Sequence, residues 1–130
     1  MLWVEAFVLF TVSHLVGDFV LQTDWQALHK HGGLGRDPTA RRALASHIAI
    51  YTLAFVPALV WLGSEIGAGA AIGIAALIAI PHLVQDDGRL LAAYLSRVKR
   101  AEDPSELLAV TVDQSYHVVA LLVAALVASA

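Results

Sequence analysis

The sequence predicts an all-α integral membrane protein, a four-helix transmembrane bundle with both termini on the same, outer side. Three observations predict this fold class. Of the 130 residues, 58% are hydrophobic and only 15% are charged, whereas a soluble domain is typically about 45–50% apolar and about 25% charged. Four segments are apolar over the roughly 20 residues that a membrane-crossing helix needs. All eight lysines and arginines lie in two of the connections between those segments.

The four predicted spans cover residues 2–22, 43–62, 66–84 and 107–128 of a single transmembrane domain, residues 1–130. Only GSEIG separates the second from the third, which forces an antiparallel hairpin. Pro57 and Pro81 should bend these two spans. The other connections, residues 23–42 and 85–106, are longer and polar. Within the latter, RLLAAYLSRVKR alternates apolar and basic residues at helical spacing, which predicts a short helix on the membrane surface.

The distribution of basic residues predicts the orientation of the spans. Under the positive-inside rule, both basic connections are cytoplasmic and both termini lie outside. No basic residue precedes the first apolar run, and Glu5 lies inside it, so we expect this segment to span the membrane rather than act as a cleaved signal. The chain has no cysteine. Any metal site must therefore use nitrogen and oxygen ligands.

Ionisable residues interrupt all four spans, and three of the spans carry a His–Asp pair four residues apart. Residues at this spacing share one helix face. In an up-down bundle, all of these residues fall in the cytoplasmic half of the membrane, where ionisable groups are costly and usually face the interior. The sequence therefore predicts one cluster of seven side chains, which are His14, Asp18, His47, His82, Asp86, Asp113 and His117.

Three interpretations of the cluster compete. As a metal site, the seven residues exceed the needs of one ion, so they allow either two metals or one metal with a second shell of carboxylates. Zinc is the first expectation for the metal, with iron and manganese as alternatives. As a proton or divalent-ion pathway, the cluster would serve a transporter or channel. As a structural network, its His–Asp hydrogen bonds would only tie the helices together.

Several motifs resemble the bacterial membrane family catalogued as domain of unknown function 3307. They are HLVGDFVLQTDWQALHK, the histidine of SHIAIYT, PHLVQDDGR and DQSYHV. The resemblance covers nearly the whole chain. Beyond the seven residues above, it includes Gln22 and Gln114. It implies a small multi-pass protein of the bacterial inner membrane with a polar intramembrane cluster, and it supplies no reaction.

The leading hypothesis is a metal-dependent intramembrane hydrolase acting on a lipid-like substrate from the cytoplasmic leaflet. In it the four histidines are metal ligands, while Asp18, Asp86 and Asp113 are ligands or general bases. The expected partners are membrane lipids and no nucleic acid. The outer halves of the spans are apolar apart from Glu5 and a few hydroxyls, so a through-pathway would need a homo-oligomer. His29, His31 and Asp87 are expected to be solvated.

Overall fold

The computed structural model describes all 130 residues, Met1–Ala130, and every regular element in it is helical. In chain order the helices are α1 (Leu2–Leu15), α2 (Asp24–His29), α3 (Pro38–Ala54), α4 (Val56–Ile66), α5 (Ala68–Asp86), α6 (Arg89–Arg97) and α7 (Glu106–Ala128). A π-helical segment, Val16–Val20, extends α1 directly. The prediction of an all-helical chain is confirmed.

Three helical stretches are long and apolar enough to cross a membrane, namely Leu2–Val20, Ala68–Asp86 and Glu106–Ala128. The pair α3–α4 would be a fourth if it is one span, since its two helices are bent by 52°. The break falls at Phe55, just before Pro57, whose ring and missing N–H disfavour an unbroken helix. By contrast, α5 continues through Pro81 without a break.

The apolar core lies at one end of the packed helices. α7 packs against both α1 and α5, while α5 also packs against α3 and α4. Phe10, Phe55, Leu62 and Leu121 are among the 12 buried residues of this core, which draws on α1, α4, α5 and α7 and on the junction of α3 with α4. The residues at the other end of the same helices are polar, and they form the site described below.

Two local features shape the chain where α1 ends. In the π-helical segment the Leu21 N–H donates to the carbonyl of Val16, five residues back. α2 then begins with a capping box, in which the Thr23 side chain accepts from the Gln26 N–H and the Gln26 side chain accepts from the Thr23 N–H. Gln26 also donates to Ser46 Oγ at 3.0 Å, which fixes α2 against α3.

Candidate metal centre

The ionisable side chains of the four predicted spans meet at one place, as the sequence predicts. His14, His47, His82 and His117 are each at most 2% exposed, and Asp86 is equally buried. Asp18 is 6% exposed. Asp113, at 24% side-chain exposure, is the most accessible of the seven. The cluster is thus an almost closed polar pocket with one open side, at α7.

Four of these side chains direct one ligand atom each into a common space. His47 Nε2 lies 2.8 Å from Asp86 Oδ2, 3.1 Å from Asp18 Oδ1 and 3.1 Å from His82 Nε2. His82 Nε2 lies 3.4 Å from each of the same two carboxylate oxygens. All four residues are buried. We call these four residues the first site.

The four ligand atoms of the first site lie at or slightly inside the separations of a tetrahedral coordination sphere. Zinc lies about 2.0–2.1 Å from nitrogen and oxygen ligands, which places tetrahedral ligand atoms about 3.3–3.4 Å from one another. Asp18 Oδ1 accepts no hydrogen bond, although two imidazole nitrogens lie within 3.4 Å of it. The unpartnered Asp18 Oδ1 thus faces the space that the other three ligand atoms surround. The Nδ1 atoms of His47 and His82 have no partner behind them.

A second group adjoins the first through Asp86. The other oxygen of this carboxylate, Oδ1, lies 3.1 Å from His117 Nε2. Asp113 completes the group, with its ligand atom within 4.8 Å of the other two. We call Asp86, Asp113 and His117 the second site.

His14, expected as a metal ligand, lies beside the first site instead of within it. Its Nδ1 contacts the Tyr51 hydroxyl at 3.1 Å, and its Nε2 contacts Gln114 Oε1 at 2.9 Å. The Gln114 amide nitrogen reaches Asp18 at 3.4 Å and Asp113 at 3.3 Å. Tyr51 also stacks on the ring of His82, with centroids 3.4 Å apart. This geometry makes His14, Tyr51 and Gln114 supports that hold the site residues in place.

Lys30 is a member of the centre that the sequence did not indicate. Its ammonium donates to Asp86 Oδ2 at 2.6 Å and to Gln22 Oε1 at 2.7 Å, and the residue is 8% exposed. The TxxQ capping box at residue 23 predicts only that a short helix precedes Lys30, and the burial of Lys30 depends on how that helix packs against α3.

The prediction that Asp87 is solvated is wrong. Asp87 is 3% exposed, and its carboxylate accepts from the Leu34 N–H at 2.7 Å and forms an ion pair with Arg89 Nε at 3.2 Å. Its role is to hold the 30–37 connection against the end of α5. His29 and His31 are exposed, as expected.

The charges of the centre balance within the chain only if two of its imidazoles are protonated. With ionised carboxylates and neutral imidazoles, Asp18, Asp86 and Asp113 carry three negative charges against the one positive charge of Lys30. Buried charges are retained only when they are paired or coordinate a metal. One divalent cation would bring the formal charge to zero.

One protein-family model matches almost the whole chain. The family model described as "Protein of unknown function (DUF3307)" matches residues 6–130. The chain belongs to this family. The matched region contains every residue of both sites, together with Lys30 and Gln114, while the description assigns no reaction to the family. No curated protein and no solved structure matches the chain.

Proposed function

We propose that this chain is a membrane-embedded, metal-dependent enzyme, a hydrolase acting on a lipid-like substrate. The observation that carries the proposal is the first site, where four buried ligand atoms from three helical segments surround a common space and lie within 4.8 Å of one another. The donor set of two imidazoles and two carboxylates, without thiolate, fits zinc first and iron or manganese as alternatives.

The surface of the helices supports placement in a membrane. Phe19, Ile72 and Val119 are each more than half exposed, and they lie on three different candidate spans. At most a third of any span's residues are buried inside the chain. A lipid environment would cover these apolar faces. We place the chain in the bacterial inner membrane as a four-helix bundle, with both basic connections cytoplasmic and both termini outside.

The chain's own residues have distinct roles in this proposal. A divalent cation supplies Lewis acidity and activates water as a nucleophile near neutral pH. Asp18 and Asp86 hold the cation, since both are buried and turned toward the first site. Asp113 is the carboxylate best placed to act as general base, because it is the one that solvent or substrate can reach.

A groove beside the open side of the centre fits an amphiphilic substrate. It runs along α7, has a volume of about 620 Å³, and is lined by Val110, Thr111, Gln114, Ser115, Val118 and Val119. Gln114 belongs both to this groove and to the hydrogen bonds around Asp18 and Asp113. An acyl chain lying on the valines would bring its polar end to the centre.

The second candidate function is a metal-free network, either structural or proton-carrying. The observation that favours it is the Lys30–Asp86 ion pair, since an ammonium already neutralises one buried carboxylate. A pathway through a single chain is disfavoured because apolar residues such as Phe10, Leu62 and Leu121 fill the other end of the helices. Transport of a divalent ion would therefore need several copies of the chain.

Metal content distinguishes these functions. The protein would be purified in mild detergent without a histidine tag, incubated with zinc, iron or manganese, desalted, and measured by inductively coupled plasma mass spectrometry. We expect retained metal in the wild type and in His29→Ala, whose histidine is exposed, and its loss in His47→Ala. Size-exclusion elution would check that both variants fold. No retained metal in the wild type would refute the proposal.

Hydrolysis is tested separately, in vesicles made from a bacterial lipid extract. Lipid mass spectrometry would follow products released by the metal-loaded wild type, His29→Ala and Asp113→Asn. We expect product from the first two proteins and at least a tenfold lower rate from Asp113→Asn, in line with loss of a general base. Metal-loaded wild-type protein that releases no product would contradict the assignment as a lipid hydrolase.

A further inference from the structure

We propose that the centre binds a second divalent cation at the second site, next to the first cation, with Asp86 bridging the two. This inference rests on the proposed function, because the first site must hold a metal for Asp86 to act as a bridge. It adds to that function the place where the substrate reacts. The second cation has free coordination positions, and the reacting group of the substrate binds there.

The two oxygens of Asp86 face different partners. Oδ2 is directed to the first site, 2.8 Å from His47 Nε2. Oδ1 is directed away from it, 3.1 Å from His117 Nε2. A carboxylate that presents one oxygen to each of two neighbouring pockets is arranged as a bridge. Paired catalytic metals typically lie about 3.5–4 Å apart, which one carboxylate can span.

The tautomer of His117 leaves a lone pair opposite a carboxylate oxygen. His117 Nδ1 contacts the backbone carbonyl of Asp113 at 2.8 Å. A carbonyl oxygen only accepts, so Nδ1 donates, and the Nε2 of the neutral ring has no hydrogen. With a neutral ring, the acceptors His117 Nε2 and Asp86 Oδ1 face each other at 3.1 Å and a cation between them satisfies both, whereas a protonated ring would donate to Asp86 without a metal. The bond from Nδ1 to a carbonyl is also the arrangement that usually orients a metal-bound histidine.

The two sites differ in how many positions they leave free. The first site has four protein ligands and the second has three, so the second cation keeps more coordination positions free for water or substrate. The third residue of the second site, Asp113, is the partly exposed one, and when one of its oxygens binds the cation the other stays free to act as the general base. Gln114, which donates to Asp113, also lines the groove on α7, so a substrate held there would lie next to this residue.

Charge indicates which substrates such a centre would bind. With one cation the formal charge of the centre is zero, and with two it is +2. A phosphate or carboxylate group on an amphiphile would offset this excess. We therefore assign the substrate to the class of anionic amphiphiles.

Manganese binding tests the proposal without any assay of activity. Wild-type protein and the variants His117→Ala, Asp113→Asn and His29→Ala would be loaded with Mn²⁺, desalted, and measured for manganese per chain. Electron paramagnetic resonance would be recorded on the same samples. We expect two manganese ions per chain and an exchange-coupled spectrum for the wild type and for the His29→Ala control. For His117→Ala and Asp113→Asn we expect one ion and the spectrum of isolated Mn²⁺.

The manganese measurements distinguish a failure of the second site from a failure of the proposed function. One manganese ion in the wild type, unchanged in Asp113→Asn, would overturn the second cation and leave the first site standing. Two ions that persist in both second-site variants would also overturn it, since the second ion would then bind elsewhere. No metal in the wild type would overturn the proposed function itself. Asp113→Asn keeps the shape of the side chain, which limits its effect on folding.

Discussion

The charge of Lys30 has opposite effects in the two interpretations of the cluster, a metal centre and a metal-free network. Its ammonium lies 2.6 Å from Asp86 Oδ2 and is nearly buried. In a metal-free network it is the principal positive charge of the cluster. In a metal centre it lies next to a ligand oxygen and repels the cation.

Replacement of Lys30 by methionine separates the two interpretations. Removing one partner of a buried ion pair typically lowers the free energy of unfolding by about 3–5 kcal/mol. We expect this loss in metal-free Lys30→Met, together with tighter binding of zinc, because a repelling charge is gone. Thermal unfolding in detergent, followed with and without zinc, measures both effects.

The control for this prediction is Lys99→Met, which changes an exposed lysine outside the centre. We expect neither its stability nor its zinc affinity to change. A Lys30→Met protein that zinc fails to stabilise would favour the metal-free network.

Residue types and spacing were enough to predict the seven ionisable residues of the cluster. Their positions follow from helical periodicity, which a sequence displays directly. The positions of Lys30 and Asp87 do not, since both lie outside the spans and are buried only because the 23–37 connection folds back onto α3 and α5. The way this connection folds back onto the helices depends on tertiary contacts between residues that are far apart in the sequence.

The π-helical segment Val16–Val20 is the element that delivers Asp18 to the centre. π-helical turns are rare and frequently occur at functional sites. Gly17 within it lies against Tyr51, and a Cβ added there would approach Tyr51 Cδ2 to 2.8 Å. The absence of a side chain at Gly17 thus allows the Tyr51 ring to stack on His82.

We expect Gly17→Ala to weaken the centre through this contact. The Tyr51 ring must move, and His82 and His14 must move with it. Overpacking of this kind usually lowers the free energy of unfolding by about 1–3 kcal/mol. We also expect at least tenfold weaker zinc binding, measured by competition with a fluorescent chelator.

Gly73→Ala is the matched control, because nothing lies within 4 Å of a Cβ added at Gly73 in α5. Alanine is also the better helix former, so this variant should be as stable as the wild type or slightly more so. Equal zinc affinity in Gly17→Ala and Gly73→Ala would show that the Tyr51 packing does not support the site.

The prolines of the second and third spans predicted bends in two helices. Pro57 predicted a bend in the second span, and the bend is present, at 52°. Pro81 lies inside α5, which continues through it, so the bend predicted for the third span stays a prediction. Proline removes one hydrogen bond in either case, and the packing around it decides whether the helix separates.

At the scale of the whole molecule, the separation of a polar end from an apolar end defines the proposed membrane orientation. The polar centre adjoins the basic connections, while Phe10, Leu62 and Leu121 fill the opposite end. Composition and charge predicted the spans because both are properties of whole segments. The sides of the termini are a further prediction of the same charge pattern.

Cysteine labelling tests this orientation, and the chain has no native cysteine to interfere. Single variants Ser64→Cys, Leu34→Cys and Glu102→Cys all replace exposed residues. With a membrane-impermeant maleimide, we expect Ser64→Cys to react in intact cells, because the tight turn is outside. The other two should react only after permeabilisation. The reverse pattern would invert the proposed topology.

The central claim is that a metal ion is bound by histidines inside this bundle. X-ray absorption spectroscopy at the zinc edge of the zinc-loaded, desalted protein tests it most directly. The account predicts nitrogen and oxygen neighbours at about 2.0–2.1 Å, with the outer-shell scattering of imidazole rings. That scattering should be lost in His47→Ala and kept in His29→Ala. Zinc without imidazole scattering, or no zinc retained at all, would contradict the account.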